Sequence, residues 1–149
     1  MENKRKRLGV NEYFMKMAIL SSYRGTCLRN KVGCVLVYEK RVKAIGYNSS
    51  HSGTEHCEEV GCCMEGGHCI RTLHAEEAAV LNLEKKHGVG MEAYITHEPC
   101  LHCHRILASV GVETIFYLNS YGDFSKQEKE VKSLLDCRMI RMHNIEIIG

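Results

Sequence analysis

Residues 96–105 read THEPCLHCHR, with three histidines, two cysteines and a glutamate gathered around the only proline of the 149-residue chain. That is more ligating capacity than one tetrahedral metal site uses. A proline is tolerated at the first position of a helix, where its missing N–H has no partner to lose, so a helix is expected just after Pro99. Cys100 and Cys103 then fall at i and i+3 on one face of its first turn. The positive end of the helix dipole favours the thiolates that a metal requires. Two arrangements compete. A local set of His97, Cys100, Cys103 and His104 could close a structural site. Alternatively, Cys100 and Cys103 are two ligands of a site completed from elsewhere in the chain. His102 lies well round the helix from Cys100 and fits neither.

The flanking segments decide the fold class. MEAYITH (91–97) and TIFYLN (114–119) read as strands on either side of the helix CLHCHRILASVG (100–111). Before them HAEEAAVLNLEKKHG (74–88) reads as a helix, with Ala78, Ala79, Leu81 and Leu83 on or near one face and Gly88 as its stop. After them come a helix at SKQEKEVKSLLD (125–136) and a last short strand at IEII (145–148). Near the N-terminus a helical period runs from Val10 to about Tyr23. VGCVLVYE (32–39) and VKAIGYN (42–48) then form a hairpin. Residues 49–73 are polar, rich in Gly, Cys and His, and show no clear period. A loop of that length in a compact domain needs a function or a staple of its own. Alternating strands and helices imply parallel β/α/β units beside an antiparallel hairpin, hence an α/β fold with a mixed sheet covered by helices.

Composition narrows the function classes. The length suits one domain, residues 1–149. No apolar run approaches a membrane span. MENKRKRLGV has a positive start with no apolar stretch behind it, so a secretory signal is not expected and a cytoplasmic location is. A net charge of +2 gives a polynucleotide little to grip. The run from Lys4 to Arg7 is read as a solvated terminus rather than a phosphate contact. Nine cysteines, an odd count with no signal sequence, point to metal rather than disulfides. Cys34 and Cys137 sit in apolar surroundings and are expected as core thiols.

LHAEE (73–77) supplies what THEPCLHCHR lacks. In a parallel β/α/β unit the helices begin near the carboxyl ends of strands, so both helix starts lie at one end of the sheet. His74, Cys100 and Cys103 then make three zinc ligands with a fourth position open to water, the arrangement of a catalytic site. Glu76 is a carboxylate beside that water, placed to take its proton and pass it on. With 22 residues between Glu76 and Pro99, H-x-E followed by P-C-x-x-C matches the pattern of zinc nucleobase deaminases, in which the glutamate is not a ligand.

From about Tyr13 to Tyr121 the chain resembles the cytidine deaminase-like superfamily, and within it the deoxycytidylate (dCMP) deaminases of bacteria and phages. TCLRNKVGCVLV, GYN, GHCIRTLHAE, ITHEPCLHC and FYLNSYGD stand in that family's order. The resemblance implies a three-layer α/β/α fold with a five-stranded mixed sheet. It implies conversion of dCMP to dUMP and ammonia by a zinc-activated water, with Glu76 as proton shuttle. It places Asn48 and Ala75 in the nucleoside pocket, His97 near the metal, and Tyr117 and Tyr121 as walls against the pyrimidine. Arg24, Arg29, Lys31 and Arg71 are candidates for the 5′-phosphate. It also implies a homo-oligomer, often a hexamer, with dCTP and dTTP as effectors, in a cytoplasm that is the host's for a phage-encoded protein. No stable nucleic-acid partner is expected. His102 and His104 are expected on the helix surface.

Some members carry a second, structural zinc. Here Cys27, Cys57, Cys62 and Cys69 form the favoured set, with His68 as a substitute ligand; reduced thiols or disulfides are the competing reading. One departure stands out: the family's glycine- and proline-containing continuation after GYN is replaced by GYNSSHSG. This puts effector control in doubt and opens the pocket to dCTP as well as dCMP. Two rivals remain. One is a deaminase of polynucleotides or free bases, such as a tRNA adenosine type. The other is a non-catalytic zinc module built on the local set, which gives Glu76 no task.

Overall fold

The computed structural model describes residues 6–27, 30–50, 54–65, 68–69, 71–120 and 124–145. Helix α1 (Val10–Ser22) leads into a hairpin of β1 (Gly33–Tyr38) and β2 (Arg41–Tyr47). Glu39 and Lys40 turn it with φ of 50° and 60°, the positive values that a two-residue hairpin turn demands. The long loop then carries β3 (Ser49–Ser50), α2 (Cys57–Val60), β4 (Met64–Glu65), β5 (His68–Cys69) and β6 (Thr72–Leu73). The second half alternates α3 (Ala75–Leu81), β7 (Met91–His97), α4 (Leu101–Ser109), β8 (Val112–Asn119), α5 (Lys126–Leu134) and β9 (Arg138–Arg141).

Five strands form one mixed sheet in the order β2-β1-β7-β8-β9. β1 runs antiparallel to both β2 and β7, whereas β7, β8 and β9 are mutually parallel. The two-residue period of a strand sends alternate side chains to opposite faces. Cys34 and Leu36 of β1 join Ala93 and Ile95 of β7 under Ala75, Ala79 and Leu107 of α3 and α4. Val35 and Val37 face the other way, onto Phe14, Met15, Ala18 and Ile19 of α1. Both faces are therefore covered, which is why β1 reads as an unbroken apolar run. On the α1 side Tyr94 lies between Phe14 and Phe116, with ring centroids 5.3 and 4.6 Å away. Its hydroxyl donates to Asn11 Oδ1 at 2.9 Å, so the one polar atom of the stack is satisfied.

The approach of α3 to the sheet depends on Gly46 of β2. A Cβ there would lie 2.2 Å from the carbonyl oxygen of Ala75 and 2.3 Å from the amide nitrogen of Ala79. The missing side chain lets the helix that begins at His74 rest directly on the backbone of β2.

Three expectations need correction. α3 stops at Leu81 rather than near Gly88, because the Asn82 side chain donates to Ile45 O at 2.9 Å and ties the helix end to β2. Leu81 points outward at 71% exposure, so the inward face is Ala75, Glu76 and Ala79. Second, the fifth strand of the sheet is β9 at 138–141, which the apolar pattern hid. It is an edge strand whose outer residues, Arg138 and Arg141, are exposed, a charge placement that discourages pairing with other chains. The expected strand at 145–148 falls, from 146 onward, outside the described residues. Third, the 49–73 loop is not structureless: β3 pairs with β6 and β4 with β5. Ladders of two residues are too short to leave a period in the sequence. Lys6 and Arg7 are exposed, and Lys4 and Arg5 lie outside the described residues. No described helix is long and apolar enough to cross a membrane.

Candidate active site

The ends of two helices meet as the β/α/β reading requires. His74 is the N-cap of α3, with extended backbone at φ −69° and ψ 152°. Its N–H donates to Glu77 Oε1 at 3.0 Å, so one otherwise unpaired donor at the helix start is served. Cys100 is the N-cap of α4, delivered there by β7 through Pro99, and Cys103 follows in the first turn. His74 Nδ1 lies 3.2 Å from Cys103 Sγ and 3.7 Å from Cys100 Sγ. The three ligand atoms all lie within 4.8 Å of one another, and among the described residues no other cluster of three His, Cys, Asp or Glu groups does so. One imidazole and two thiols on rigid helix starts fit a three-ligand zinc centre that leaves a position for water.

Without a metal the three groups share protons among themselves. The Cys100 thiol is drawn down to about 3, first by a hydrogen bond from Cys103 and then by His74. His74 is pushed up to about 9, chiefly by its hydrogen bond with Cys100. Cys103 is pushed far up, first by the neighbouring Cys100. The donor set thus holds protons where a dication would otherwise lie, and a metal must displace them. Glu76 is 5% exposed. Burial pushes its carboxyl upward while its hydrogen bond with Cys103 opposes that shift.

The other expected residues are placed as follows. Ala75 is buried in the first turn of α3, against Gly46. Asn48 is 7% exposed; its Oδ1 accepts from Val32 N–H at 2.8 Å and its Nδ2 donates to Asn30 O. It therefore clasps the loop that enters β1. His97 ends β7, half-buried, with Nδ1 2.9 Å from Thr96 Oγ1, and burial lowers its pKa. Tyr117 in β8 is partly buried, with its pKa raised first by burial and then by Glu98. Arg24 is an exposed cation over the Tyr47 ring, 5.6 Å from its centroid. Lys31 Nζ donates to Gly25 O. Arg71 is partly buried, and its Nε has no hydrogen-bond partner among the described residues. Arg29 and Tyr121 lie outside the described residues, as do the side chains of His68 and Cys69.

The local four-ligand set does not form. His104 is 1% exposed, not on the helix surface as expected, and turns towards α5 with neither ring nitrogen hydrogen-bonded among the described residues. Burial, reinforced by the charge of Lys132, lowers its pKa to about 4, so it is neutral at pH 7. His102 is exposed as expected and pairs with Glu77 at 3.5 Å. Sequence reasoning also missed Glu98 and Lys132, which pair at 3.5 Å behind the cysteine segment. Their separation in the chain leaves no local signal; the lysine within an otherwise ordinary charged helix was the only hint.

The comparisons agree with this geometry. Residues 9–119 match the family described as the cytidine and deoxycytidylate deaminase zinc-binding region. The chain is 42% identical over 118 residues to ComE operon protein 2 of Bacillus subtilis, covering 77% of this chain and 62% of that one. It is 31% identical over 119 residues to the deoxycytidylate deaminase of Mycobacterium phage D29, covering 72% of this chain and 92% of the relative. It spans only 38% and 42% of the length of the yeast deoxycytidylate deaminases that it also matches. Among solved structures, the dCMP deaminase of cyanophage S-TIM5 in complex with dCMP and dUMP superposes with a TM-score of 0.76 at 30% identity. That match covers 93% of this chain and all of the other. The chain belongs to the cytidine and deoxycytidylate deaminase family and carries that family's zinc-binding region.

Proposed function

We propose that this chain catalyses the hydrolytic deamination of dCMP to dUMP and ammonia. The observation that carries the reading is the convergence of His74, Cys100 and Cys103 beside the buried carboxyl of Glu76. The deoxycytidylate deaminases among its relatives, and the phage enzyme holding dCMP and dUMP, support the choice of nucleotide. His74, Cys100 and Cys103 would hold the zinc, which when bound supplies the Lewis acidity that makes water nucleophilic at neutral pH. Glu76 accepts the proton that water gives up and delivers it to the ring nitrogen next to C4. An oxygen bond forms at C4, Glu76 then takes the second proton from the hydroxyl now on C4 and passes it to the exocyclic nitrogen, and the C4–N bond breaks to release ammonia and leave the uracil carbonyl. Asn48, His97, Tyr117 and Tyr121 are the proposed pocket walls. Of the three candidate cations Arg24, Arg29 and Lys31, both Arg24 and Lys31 are exposed; Lys31 already donates to Gly25 O, which leaves Arg24 the better suited to a phosphate.

The wider reading follows from the same family. The chain acts as one domain and as a cytoplasmic homo-oligomer, and the GYNSSHSG departure favours use of dCTP beside dCMP over control by dCTP and dTTP as effectors. Ser49 and Ser50, part of the departing GYNSSHSG segment, pair with Leu73 and Thr72 immediately before His74. An effector bound at that segment would thus act one residue from a metal ligand. A second, structural zinc held by Cys27, Cys57, Cys62 and Cys69 or His68 is a separate proposal. Its support is the contact of Thr26 Oγ1 with His56 Nδ1 at 3.2 Å, which brings the neighbours of Cys27 and Cys57 together. Metal analysis tests it: two zincs per chain are expected, and one zinc in active protein would remove the second.

The main test is ammonia release from cytidine, CMP, dCMP, dCTP and an oligodeoxynucleotide, each with and without dCTP or dTTP. Turnover of dCMP well above the others is expected. Activity confined to the oligonucleotide would overturn the assignment.

A further inference from the structure

α5 has no buried residue along Lys126–Leu134, yet the Lys132 side chain is only 10% exposed. Lysine is almost never buried without partners, and an apolar residue would pin a helix at lower desolvation cost. The ammonium of Lys132 has a taker for each of its three N–H groups. It donates to Pro99 O at 2.7 Å, reaches Glu98 Oε1 at 3.5 Å and stands 3.5 Å from the centroid of the Phe124 ring. Pro99 is fully buried, so with the lysine in place its carbonyl is shut off from bulk water. Glu98 is fixed in turn: its N–H donates to Asn119 O at 2.7 Å, and its Oε2 accepts from Ser120 Oγ at 2.7 Å. The next residue is Cys100. The Cys100 thiolate is one of the charges that favour the Lys132 ammonium, against a burial that disfavours it.

We infer that Lys132 is a positioning residue for the metal centre. It clamps the Glu98–Pro99 peptide from α5 and so holds the Cys100 sulfur in the geometry that a metal needs. The inference rests on the proposed zinc reading. Partners one step removed from a metal's ligands commonly change metal affinity by 10–100-fold when lost. A cavity of about 390 Å³ lies beside this clamp, lined by His104, Ser120, Lys129, Lys132 and Leu135 among others. It gives a small amine room to enter when the lysine is shortened.

The test uses the full chain loaded with Co²⁺ and, separately, Zn²⁺ in competition with a chromophoric chelator. Wild-type protein should give the thiolate-to-cobalt charge-transfer band of a tetrahedral site. Absence of that band would overturn the zinc reading itself, independently of Lys132. With the band present, Lys132→Met, which keeps the stem but loses the charge and donors, should bind Zn²⁺ at least tenfold more weakly and show an altered cobalt spectrum. Lys132→Arg should recover most of the affinity. In Lys132→Ala, ethylammonium should restore affinity in a saturable way while tetramethylammonium at equal ionic strength should not. Wild-type affinity and spectrum in Lys132→Met would overturn the inference. If that variant does not fold, an unresponsive Lys132→Ala protein or a Lys132→Arg protein as weak as Lys132→Ala would do the same.

Discussion

Two stretches of this chain are dense in cysteine and histidine, and they are supported in different ways. The 74–104 stretch places His74, Cys100 and Cys103 on the starts of α3 and α4, both seated on the five-stranded sheet. The 56–69 stretch places His56, Cys57, Cys62, Cys63, His68 and Cys69 on a four-residue helix, two-residue strands and connecting loop. In the first, the ligands stand on helix starts packed against the core of the sheet. In the second, the elements are too short to bury much apolar surface, and there the proposed second zinc would act as a staple.

That contrast is broken most directly at Glu76. Glu76→Gln should lower kcat by about 10²–10⁴-fold, the usual range for losing a general acid–base, while zinc content stays at the wild-type value. Loss of zinc in this variant would make Glu76 a ligand and undo the distinction between donor set and shuttle. A pair of variants separates the two stretches. His74→Ala should lose one zinc per chain and nearly all activity yet keep its melting temperature within a few degrees. Cys57→Ser should lose a different zinc, melt earlier and keep a measurable kcat. If both variants lose the same metal, the two stretches are one site.

Gly46 tests the scaffold itself. Gly46→Ala sets a methyl group against the backbone of Ala75 and Ala79, which cannot yield as a flexible side chain would. Overpacking of this kind costs roughly 1–3 kcal/mol or more. Because α3 carries His74 and Glu76, activity should fall along with stability, measured by urea unfolding and dCMP turnover on the same sample. A stable but inactive variant would mean that α3 shifts as a body.

The smallest effect expected is one of pH. His104 is held near 4 by burial, whereas a histidine in the unfolded chain titrates near 6.5. Between those values the unfolded chain binds the extra proton, so stability falls as pH falls, by at most about 1.4 kcal/mol per unit. His104→Leu should flatten the melting temperature between pH 6.5 and 4.5.

Much of this was legible in the residues. The hairpin, β7, β8 and the helix after Pro99 each carry a local signal: an apolar run, a turn or a helix start. The His74, Cys100 and Cys103 group was legible because chemistry restricts which types can hold a metal, and because parallel β/α/β order brings helix starts to one end of a sheet. β9 was not legible, since an edge strand covered by charge has no apolar alternation. Neither was the early end of α3, which follows from Asn82 meeting Ile45 across 37 positions.

The sequence by itself determined the mixed α/β class and the ligand triad, because periodicity and donor chemistry are properties of residues and their spacing. Only the tertiary structure decided that His104 turns into the protein beside α5, that Asn48 clasps the entry to β1, and that Lys132 grips the segment bearing Cys100. Each of those depends on which distant element arrives against a side chain, and that is fixed by the packing of layers rather than by neighbours in the chain.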